Sequence, residues 1–194
     1  MLLEKLDIPG AALVRLDRKA DKRGFFARTF CVHEFAAAGL PTEVAQASIS
    51  YNERRGTVRG LHFQWPPSRE AKLVRCLRGE IFDVLLDLRP GSAAYLEHRT
   101  LRLDEETRDA VFIPHGVAHG FQTLAERTEV LYQMTDFFAA DLNAGVRWSD
   151  PAFAIHWPLP VSVISERDAR CPDFERGAFE AELARRAGRR SPSS

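Results

Sequence analysis

The chain has 194 residues, which is enough for one domain with a hydrophobic core and does not require two. Its 27 basic side chains are balanced by 27 acidic ones, which excludes the long-range positive field that gathers nucleic acid or an anionic membrane. Hydrophobic residues at 45% and charged residues at 28% argue against a disordered or repeat-built chain.

Cysteine usage and the first residues bear on the cellular compartment. The three cysteines are odd in number and lack a CxxC spacing, so the sequence predicts reduced thiols rather than a disulfide framework or a zinc knuckle. The opening MLLEKLDIPG has acidic residues and a proline where a signal peptide needs an apolar core, and no later apolar run reaches membrane length. We therefore expect a cytoplasmic protein with neither a nucleic-acid nor a membrane partner.

The first predicted elements are a helix and a polar strand. The helix covers 32–38 and is ended by Gly39 and Pro41. The stretch VRGLHFQ at 58–64 is strand-like, yet it carries an arginine, a histidine and a glutamine before two prolines. Such polar chemistry within a strand needs an explanation beyond core packing.

Apolar runs separated by turn residues follow along the middle of the chain. From Lys72 to Leu88, two such runs are broken at Arg78-Gly79-Glu80, which predicts a hairpin. Later strand-like runs cover 95–103, 110–113 and 128–134. Short strands at this spacing, without helical periodicity between them, predict an all-β antiparallel jelly-roll barrel with a few short helices.

The carboxyl-terminal part is predicted to differ from the barrel. A helix is expected over 179–187, and the tail GRRSPSS has no apolar side chains to bury, so we expect it to be disordered. We therefore assign residues 1–176 to one barrel domain and residues 177–194 to a terminal helix and tail.

Several ionisable residues lie on predicted strands or at their ends, namely Arg59, His62, Lys72, His119 and Tyr132. Charged groups are rarely buried unless they are paired, so their position among apolar strand residues indicates a polar pocket inside the barrel. The alternative is that strand alternation points Arg59 and Lys72 to solvent.

The spacing of glycines, histidines and a glutamate is similar to the two motifs of cupin barrels. The layout is Gly60-x-His62-x-Gln64, then Glu70 and Gly79, and later Pro114-x-Gly116-x-x-His119. A metal-dependent cupin oxygenase using His62, Gln64, Glu70 and His119 is one hypothesis. Gln64 stands where metal-binding cupins have a histidine, and a neutral amide is a poorer ligand, so we predict no metal. Two satisfied interior histidines without a chemical role are the third possibility.

A more specific resemblance rests on seven segments in order along the chain. They are RGLHFQ at 59–64, KLVRCLRG at 72–79, DVLLDLRPGS at 83–92, IPHGVAHGFQ at 113–122, EVLYQMTDFF at 129–138, GVRWSDP at 145–151 and ISERD at 164–168. Together they resemble the dTDP-4-dehydrorhamnose 3,5-epimerases, the RmlC-type cupins. The resemblance implies a cupin jelly roll and a cofactor-independent isomerase acting on a nucleotide-linked 4-keto-6-deoxyhexose.

Four residues receive catalytic roles from the resemblance. His62 matches the general base and Asp168 the carboxylate that orients it. Lys72 matches the ammonium that faces the developing oxyanion, and Tyr132 matches the proton donor on the opposite face of the sugar. A tyrosine on an interior strand is otherwise a packing residue, so this last assignment depends on the family match.

The resemblance also implies a set of substrate-binding positions and a homodimer. Family members exchange amino-terminal strands between subunits, so Arg23 and Arg28 are expected to serve the partner's pocket. Phe138 matches an aromatic ring that stacks on the nucleobase. The complete set of binding positions is Arg23, Phe26, Arg28, Gln46, Ser48, Arg59, His119, Phe138, Asn143 and Arg167.

This sequence departs from the family pattern at several of those positions. Arg28 and Asn143 stand where glutamates are usual, Ser48 where asparagine is usual, and Arg167 where lysine is usual. Two carboxylate acceptors near the nucleoside are thereby lost, and an arginine can satisfy the N3 acceptor of cytosine. A CDP-linked substrate is therefore an alternative to a dTDP-linked one.

Two further alternatives stay open at the level of sequence. A close relative could epimerise only C3, or move a ketone between carbons, with the same base. A non-catalytic barrel that binds sugar nucleotides is also conceivable, although it would not need His62, Lys72, Tyr132 and Asp168 together.

Overall fold

Two antiparallel β-sheets face each other across an apolar interior in the computed structural model, which describes residues 1–188. The strands are β1 (Leu2–Lys5), β2 (Ala12–Arg15), β3 (Lys19–Asp21), β4 (Gly24–Phe26), β5 (Gln46–Asn52), β6 (Val58–Gln64), β7 (Lys72–Arg78), β8 (Glu80–Asp87), β9 (His98–Asp104), β10 (Ala110–Ile113), β11 (Val117–Thr123), β12 (Thr128–Met134) and β13 (Asn143–Gly145). The helices are α1 (Val32–Ala37), α2 (Glu166–Ala169) and α3 (Arg176–Ala187).

The strand order explains how the interior is enclosed. One sheet has the order β1-β2-β10-β7-β12-β5 and the other has the order β13-β6-β11-β8-β9, while β3 and β4 form a separate ribbon. The paired strands run antiparallel, as the short turn-bounded segments of the sequence predict. The predicted all-β jelly-roll architecture is therefore confirmed.

Alternation along the strands divides the apolar residues between the interior and two outer faces. Val74 and Cys76 of β7 meet Leu85 of β8 and Phe121 of β11 in the interior cluster. The outer face of the six-stranded sheet packs against Phe35 of α1. The outer face of the five-stranded sheet is covered by aromatic rings that include Trp65, Trp157 and Phe179. Both sheets are therefore buried on both faces over much of their area.

The predicted hairpin between Lys72 and Leu88 is wrong, although both of its strands exist. β7 pairs with β10 and β12 in one sheet, whereas β8 pairs with β11 and β9 in the other. Gly79 links the two strands with a φ of +77°, a conformation that favours glycine. The chain therefore turns a corner between sheets at this residue, and alternating apolar residues cannot distinguish such a corner from a hairpin.

The other predicted elements agree with the structure apart from their ends. The strands predicted over 110–113 and 128–134 have the observed bounds, and the helix predicted over 32–38 ends one residue earlier, at Ala37. The strand predicted over 95–103 begins only at His98, because the residues before it form hydrogen-bonded turns. The terminal helix starts at Arg176 rather than 179.

Two sequence predictions concern the end of the chain and its cellular location. The predicted disorder of the last residues, 189–194, lies outside the described part of the chain. Within residues 1–188, no helix is long and apolar enough to cross a bilayer. The cytoplasmic location stays a prediction.

Two glycines allow β6 and β11 to approach closely beside the polar residues of the interior. A Cβ atom on Gly60 would lie 2.6 Å from Cα of Gly120 and 2.7 Å from the carbonyl oxygen of His119. Gly60 also has a φ of +112°, which side chains other than hydrogen rarely permit. The close approach of β6 and β11 therefore depends on the absence of a side chain at Gly60.

We expect Gly60→Ala to lower the free energy of unfolding by about 3 kcal/mol, because backbone strain and overpacking combine. Urea unfolding measures the change. The control is Gly177→Ala in α3, where a new Cβ meets no atom within 4 Å, and this variant should be unchanged or slightly more stable. Equal stability of the Gly60 variant and the wild type would contradict the close-approach explanation.

Candidate active site

A histidine and an aspartate form a hydrogen-bonded pair at the inner surface of β6. His62 Nε2 lies 2.7 Å from Asp168 Oδ1, and the aspartate side chain is only 6% exposed, whereas the histidine is 37% exposed. The carboxylate accepts a hydrogen bond from Nε2–H, so in the neutral imidazole the lone pair lies on Nδ1. The pair therefore presents a basic nitrogen whose orientation is fixed by a buried carboxylate.

Asp168 is held in place by its own local structure. It lies on α2, and its backbone N–H donates to the Ser165 hydroxyl that caps this helix, at 3.1 Å. Its second oxygen, Oδ2, accepts the N–H of Gly60 at 3.2 Å. Burial alone would raise the pKa of Asp168, but the hydrogen bond and charge of His62 and the donors at Gly60 and Ser165 hold that pKa below its usual value.

A lysine on the opposite sheet forms a second buried pair. Lys72 begins β7 and lies on the same face of that strand as Val74 and Cys76 of the interior cluster. Its Nζ lies 3.1 Å from Glu70 Oε1 and 3.4 Å from the backbone oxygen of His62. The Lys72 side chain is 14% exposed and that of Glu70 is 8% exposed. The Lys72 ammonium therefore lies in a water-poor interior next to the β6 histidine.

The tyrosine of β12 lies in the interior against another histidine and aspartate pair. The Tyr132 ring is 6.0 Å from the His119 ring, in an edge-on arrangement. His119 Nε2 in turn lies 2.7 Å from Asp83 Oδ1, and both side chains are buried. Burial first, and then the charge of Asp83, raise the pKa of Tyr132, so its hydroxyl keeps its proton at neutral pH.

Arg59 lies on the same side of β6 as its register partner, the interior residue Phe121. Its Nε donates to Asn52 Oδ1 at 2.7 Å, so the guanidinium extends from the five-stranded sheet to the end of β5 in the six-stranded one. The arginine itself remains exposed. The alternative that strand alternation points Arg59 to solvent therefore agrees with its exposure, although its guanidinium also bonds the other sheet. The same alternative does not hold for Lys72, whose side chain is 14% exposed.

Several predicted binding residues surround the segment that joins β12 to β13. The N–H of Phe138 donates to Gln46 Oε1 at 2.6 Å, and the Phe138 ring is 58% exposed. Ser48 is the register partner of Tyr132 on β5. Asn143 pairs with Gln64 across β13 and β6, and its carbonyl accepts a hydrogen bond from Arg167 at 3.3 Å. These residues come from both sheets and lie next to the catalytic candidates.

The structure does not bring Arg23, Phe26 and Arg28 into the barrel of their own chain. Arg23 lies at the tip of the β3-β4 ribbon and pairs with Asp21 at 2.6 Å. Phe26 is 77% exposed on the same ribbon. Arg28 is exposed and lies 3.2 Å from Glu34 of α1. Within one chain, these three residues stand apart from the other predicted site residues.

The candidate ligand set of the metal hypothesis is not grouped around one point. Among the residues that the structure describes, no three His, Cys, Asp or Glu side chains lie close enough to share an ion. His62 and His119 are each engaged by their own aspartate, and Gln64 turns its amide nitrogen, not its oxygen, toward Glu70 at 3.0 Å. These donors fit hydrogen bonding better than metal coordination.

Two carboxylate roles were missed by sequence reasoning. Asp83 was not predicted as the partner of His119, and Glu70 was not predicted as the partner of Lys72. Asp83 alternates along β8 with Ile81 and Leu85, both of the interior cluster, and is fully buried. That alternation was the available signal, because a charged residue in phase with core residues faces the interior. No comparable signal in the sequence connects Glu70 to Lys72.

Comparison with known proteins assigns the family. The sequence model of the family described as dTDP-4-dehydrorhamnose 3,5-epimerase matches residues 5–176. This chain belongs to the dTDP-4-dehydrorhamnose 3,5-epimerase family. The resemblance inferred from the seven segments is thereby confirmed, and so are the cupin-like fold and the isomerase class.

Individual relatives support the same assignment over most of the chain. The dTDP-4-dehydrorhamnose 3,5-epimerase of Sinorhizobium fredii is 38% identical over 90% of this chain and 90% of its own length. A dTDP-4-dehydrorhamnose 3-epimerase of Streptomyces niveus is 38% identical over 87% of this chain and 81% of its own. The crystal structure of the Bacillus anthracis 3,5-epimerase with TDP and PPi bound has a TM-score of 0.86 at 32% identity, covering 89% of this chain and 99% of that one.

The buried His62 and Asp168 pair predicts a pH-dependent contribution to stability. We expect Asp168→Asn to lower the free energy of unfolding by about 2 kcal/mol at pH 7. Because the folded-state pKa of Asp168 is lowered, this stabilisation is complete above the unfolded-state value of about 3.9 and is lost as the pH falls through the folded-state pKa.

Urea unfolding of the wild type and of Asp168→Asn between pH 3 and pH 7 measures the difference in their free energies of unfolding. This difference should shrink below about pH 4. Asp7→Asn, at a side chain that is 88% exposed, is the control and should change stability little at any pH. A difference for Asp168→Asn that stays constant over the whole pH range would contradict the lowered pKa.

Proposed function

We propose that this chain epimerises C3 and C5 of a dTDP-linked 4-keto-6-deoxyhexose, with His62 as the base and Tyr132 as the acid. The observation that carries the proposal is their placement on opposite sheets. His62 extends from β6 of the five-stranded sheet, whereas Tyr132 extends from β12 of the six-stranded one. A base and an acid that face each other across one interior are what inversion at carbon requires.

The reaction needs three chemical groups. The C4 ketone acidifies the protons on C3 and C5, and removing one of them produces an enolate whose oxygen carries negative charge. Returning a proton to the opposite face of the carbon inverts its configuration. A base, a cation at the enolate oxygen and an acid on the far side therefore complete one epimerisation.

His62 supplies the base through Nδ1, since Asp168 occupies Nε2 at 2.7 Å. Proton abstraction converts the ring to an imidazolium, and the Asp168 carboxylate stabilises that charge without taking the proton. Lys72 supplies the cation. Its ammonium is positioned by Glu70 at 3.1 Å, in an interior where a fixed charge stabilises an oxyanion more strongly than in water.

Tyr132 supplies the proton to the opposite face. Its raised pKa means that the phenol is the populated form at neutral pH, so a proton is always available for donation. Transfer leaves a phenolate, whose negative charge is stabilised by Arg59, the cation that acts to lower the same pKa. His119 packs against the ring and fixes its position.

The nucleotide of the substrate is assigned to thymidine rather than cytidine. Arg28 is the residue that motivates a CDP-linked alternative, but its guanidinium lies 3.2 Å from the Glu34 carboxylate of the same chain. A guanidinium engaged by a carboxylate is less available to the N3 atom of cytosine. The dTDP-named relatives support the same assignment.

Epimerisation at C3 alone is a second candidate, because the Streptomyces niveus relative at 38% identity is named a 3-epimerase. Turnover of dTDP-4-keto-6-deoxyglucose in heavy water distinguishes the two activities. We expect deuterium at both C3 and C5, detected by NMR, and a much slower reaction with the CDP-linked analogue. Deuterium at C3 only would assign the chain to the 3-epimerases, and preference for the CDP substrate would overturn the thymidine assignment.

The same experiment separates the two proton-transfer residues. His62→Ala should reduce kcat by about a hundredfold to ten-thousandfold, because no base remains. Tyr132→Phe should still exchange the C3 hydrogen for deuterium but with retained configuration, since His62 returns the proton to the face from which it came. Inversion at a normal rate in Tyr132→Phe would remove that residue from the mechanism.

We further propose that the functional unit is a homodimer in which the β3-β4 ribbon completes the partner's site. The ribbon presents Arg23 and Phe26 to solvent, away from its own barrel. The exposed strand β5 carries uncovered apolar side chains at Ile49 and Tyr51, at 60% and 44% exposure. An edge strand of this kind is suited to cover by a second copy, which would place an arginine near the opening of the neighbouring barrel.

Subunit mixing tests this arrangement. Arg23→Ala and His62→Ala variants are each expected to be nearly inactive as pure dimers. When equal amounts of the two variants are unfolded and refolded together, about half of the dimers are mixed. Each mixed dimer has one intact site out of two, so about a quarter of the wild-type activity should return. Failure to recover activity, although mixed dimers are detected by mass spectrometry, would show that the ribbon serves its own chain.

A further inference from the structure

We propose that Gln64 positions the nucleotide-binding segment 136–139, and thereby sets the affinity for the nucleoside half of the substrate. This inference rests on the proposed function and on the expectation from the family resemblance that Phe138 stacks on the nucleobase. Gln64 stands where the cupin layout places a metal-binding histidine, and neither proton transfer nor oxyanion stabilisation requires an amide there. Its hydrogen bonds indicate a different purpose.

Both ends of the Gln64 amide bond the backbone of the same segment. Nε2 donates to the carbonyl of Phe137 at 3.2 Å, and Oε1 accepts the N–H of Ala139 at 2.9 Å. The second Nε2 hydrogen goes to Glu70 Oε2 at 3.0 Å. Gln64 is 9% exposed, so both hydrogens and the carbonyl are used in a nearly dry site where lost bonds are costly.

A second glutamine holds the segment from the opposite sheet. Gln46 lies on β5 of the six-stranded sheet, and its Oε1 accepts the N–H of Phe138 at 2.6 Å. Gln64 lies on β6 of the five-stranded sheet. Three consecutive residues, Phe137, Phe138 and Ala139, are therefore fixed through their backbones by side chains from two different sheets.

Such fixation leaves the aromatic side chains free to bind. Phe137 and Phe138 are 67% and 58% exposed as whole residues, although the backbone segment that carries them is held by three hydrogen bonds. A ring on a fixed backbone loses less conformational entropy on stacking than a ring on a mobile loop. Stacking of a base on an aromatic side chain contributes about 1–3 kcal/mol, so loss of the fixed geometry should weaken nucleoside binding specifically.

The same network separates nucleoside binding from the chemistry at the sugar. Glu70 accepts from Gln64 through Oε2 and from Lys72 through Oε1, at 3.0 and 3.1 Å. Removing the Gln64 amide leaves the pair of Lys72 and Glu70 intact. Affinity for the nucleoside should therefore fall while the ammonium remains available to the enolate.

Calorimetric titration of Gln64→Leu with dTDP and with inorganic diphosphate tests this positioning role. We expect affinity for dTDP to fall about tenfold to a hundredfold, whereas affinity for diphosphate changes less than twofold. In turnover assays, KM for the dTDP-sugar should rise by a similar factor while kcat stays within about threefold of the wild type. Gln64→Met, which keeps an unbranched side chain of similar volume but has neither amide hydrogens nor an amide oxygen, is the second variant and should shift in the same direction.

The matched control is Gln122→Leu. Gln122 is also buried and bonds a backbone through both ends of its amide, but its partner is Leu159, with distances of 2.8 and 3.0 Å. This variant should lose stability without changing the ratio of dTDP to diphosphate affinity. Equal weakening of both ligands in the Gln64 variants would overturn the inference, and so would a change of this ratio in Gln122→Leu as large as the change in Gln64→Leu. Wild-type protein that binds dTDP but does not epimerise its sugar would instead overturn the proposed function alone.

Discussion

Burial of charge inside an apolar barrel is the constraint on which this site depends. A charged side chain inside a protein needs a partner, and the interior of this barrel provides one for each of its candidate catalytic cations and histidines. Asp168 engages His62, Asp83 engages His119 and Glu70 engages Lys72, at 2.7, 2.7 and 3.1 Å. These pairs fix the orientation of groups that the apolar strands alone would leave free to adopt several rotamers.

The two-sheet architecture converts these pairs into a site with two sides. β6, β8 and β11 carry the histidines and Asp83 on one sheet, while β7 and β12 carry Lys72 and Tyr132 on the other. Because β7 and β12 are paired neighbours, the ammonium and the phenol share one wall. Inversion of a carbon needs groups on both of its faces, and a sandwich of two sheets supplies them without any special loop.

The edges of the sheets have a different role. β5 and β13 are edge strands of the two sheets, and the segment between β12 and β13 crosses from one sheet to the other, held by Gln46 and Gln64. The β3-β4 ribbon remains apart from the barrel that its own chain forms. The side chains proposed for proton transfer therefore lie on inner strands, whereas most of the predicted substrate-binding residues lie on edge strands, loops and the ribbon, which are the parts that vary most easily.

Local patterns and motifs along the chain were sufficient for several strands and for the family. Alternating apolar runs identified the strands at 110–113 and 128–134 with their observed bounds, because side chains with a period of two reflect a buried sheet face. The family likeness supplied His62, Lys72, Tyr132 and Asp168, which spacing alone could not connect, since Asp168 lies more than a hundred residues from its partner along the chain.

How the strands pair and which side chains meet depends on long-range packing. Strand periodicity has no information about which strand pairs with which, so β7 and β8 suggested a hairpin although Gly79 sends them to different sheets. The partners Asp83 and Glu70, and the position of Gln64 between Glu70 and the backbone of Phe137 and Ala139, follow from contacts between segments far apart in the chain. Local sequence sets the face on which a side chain lies, whereas packing of the two sheets sets what that side chain meets.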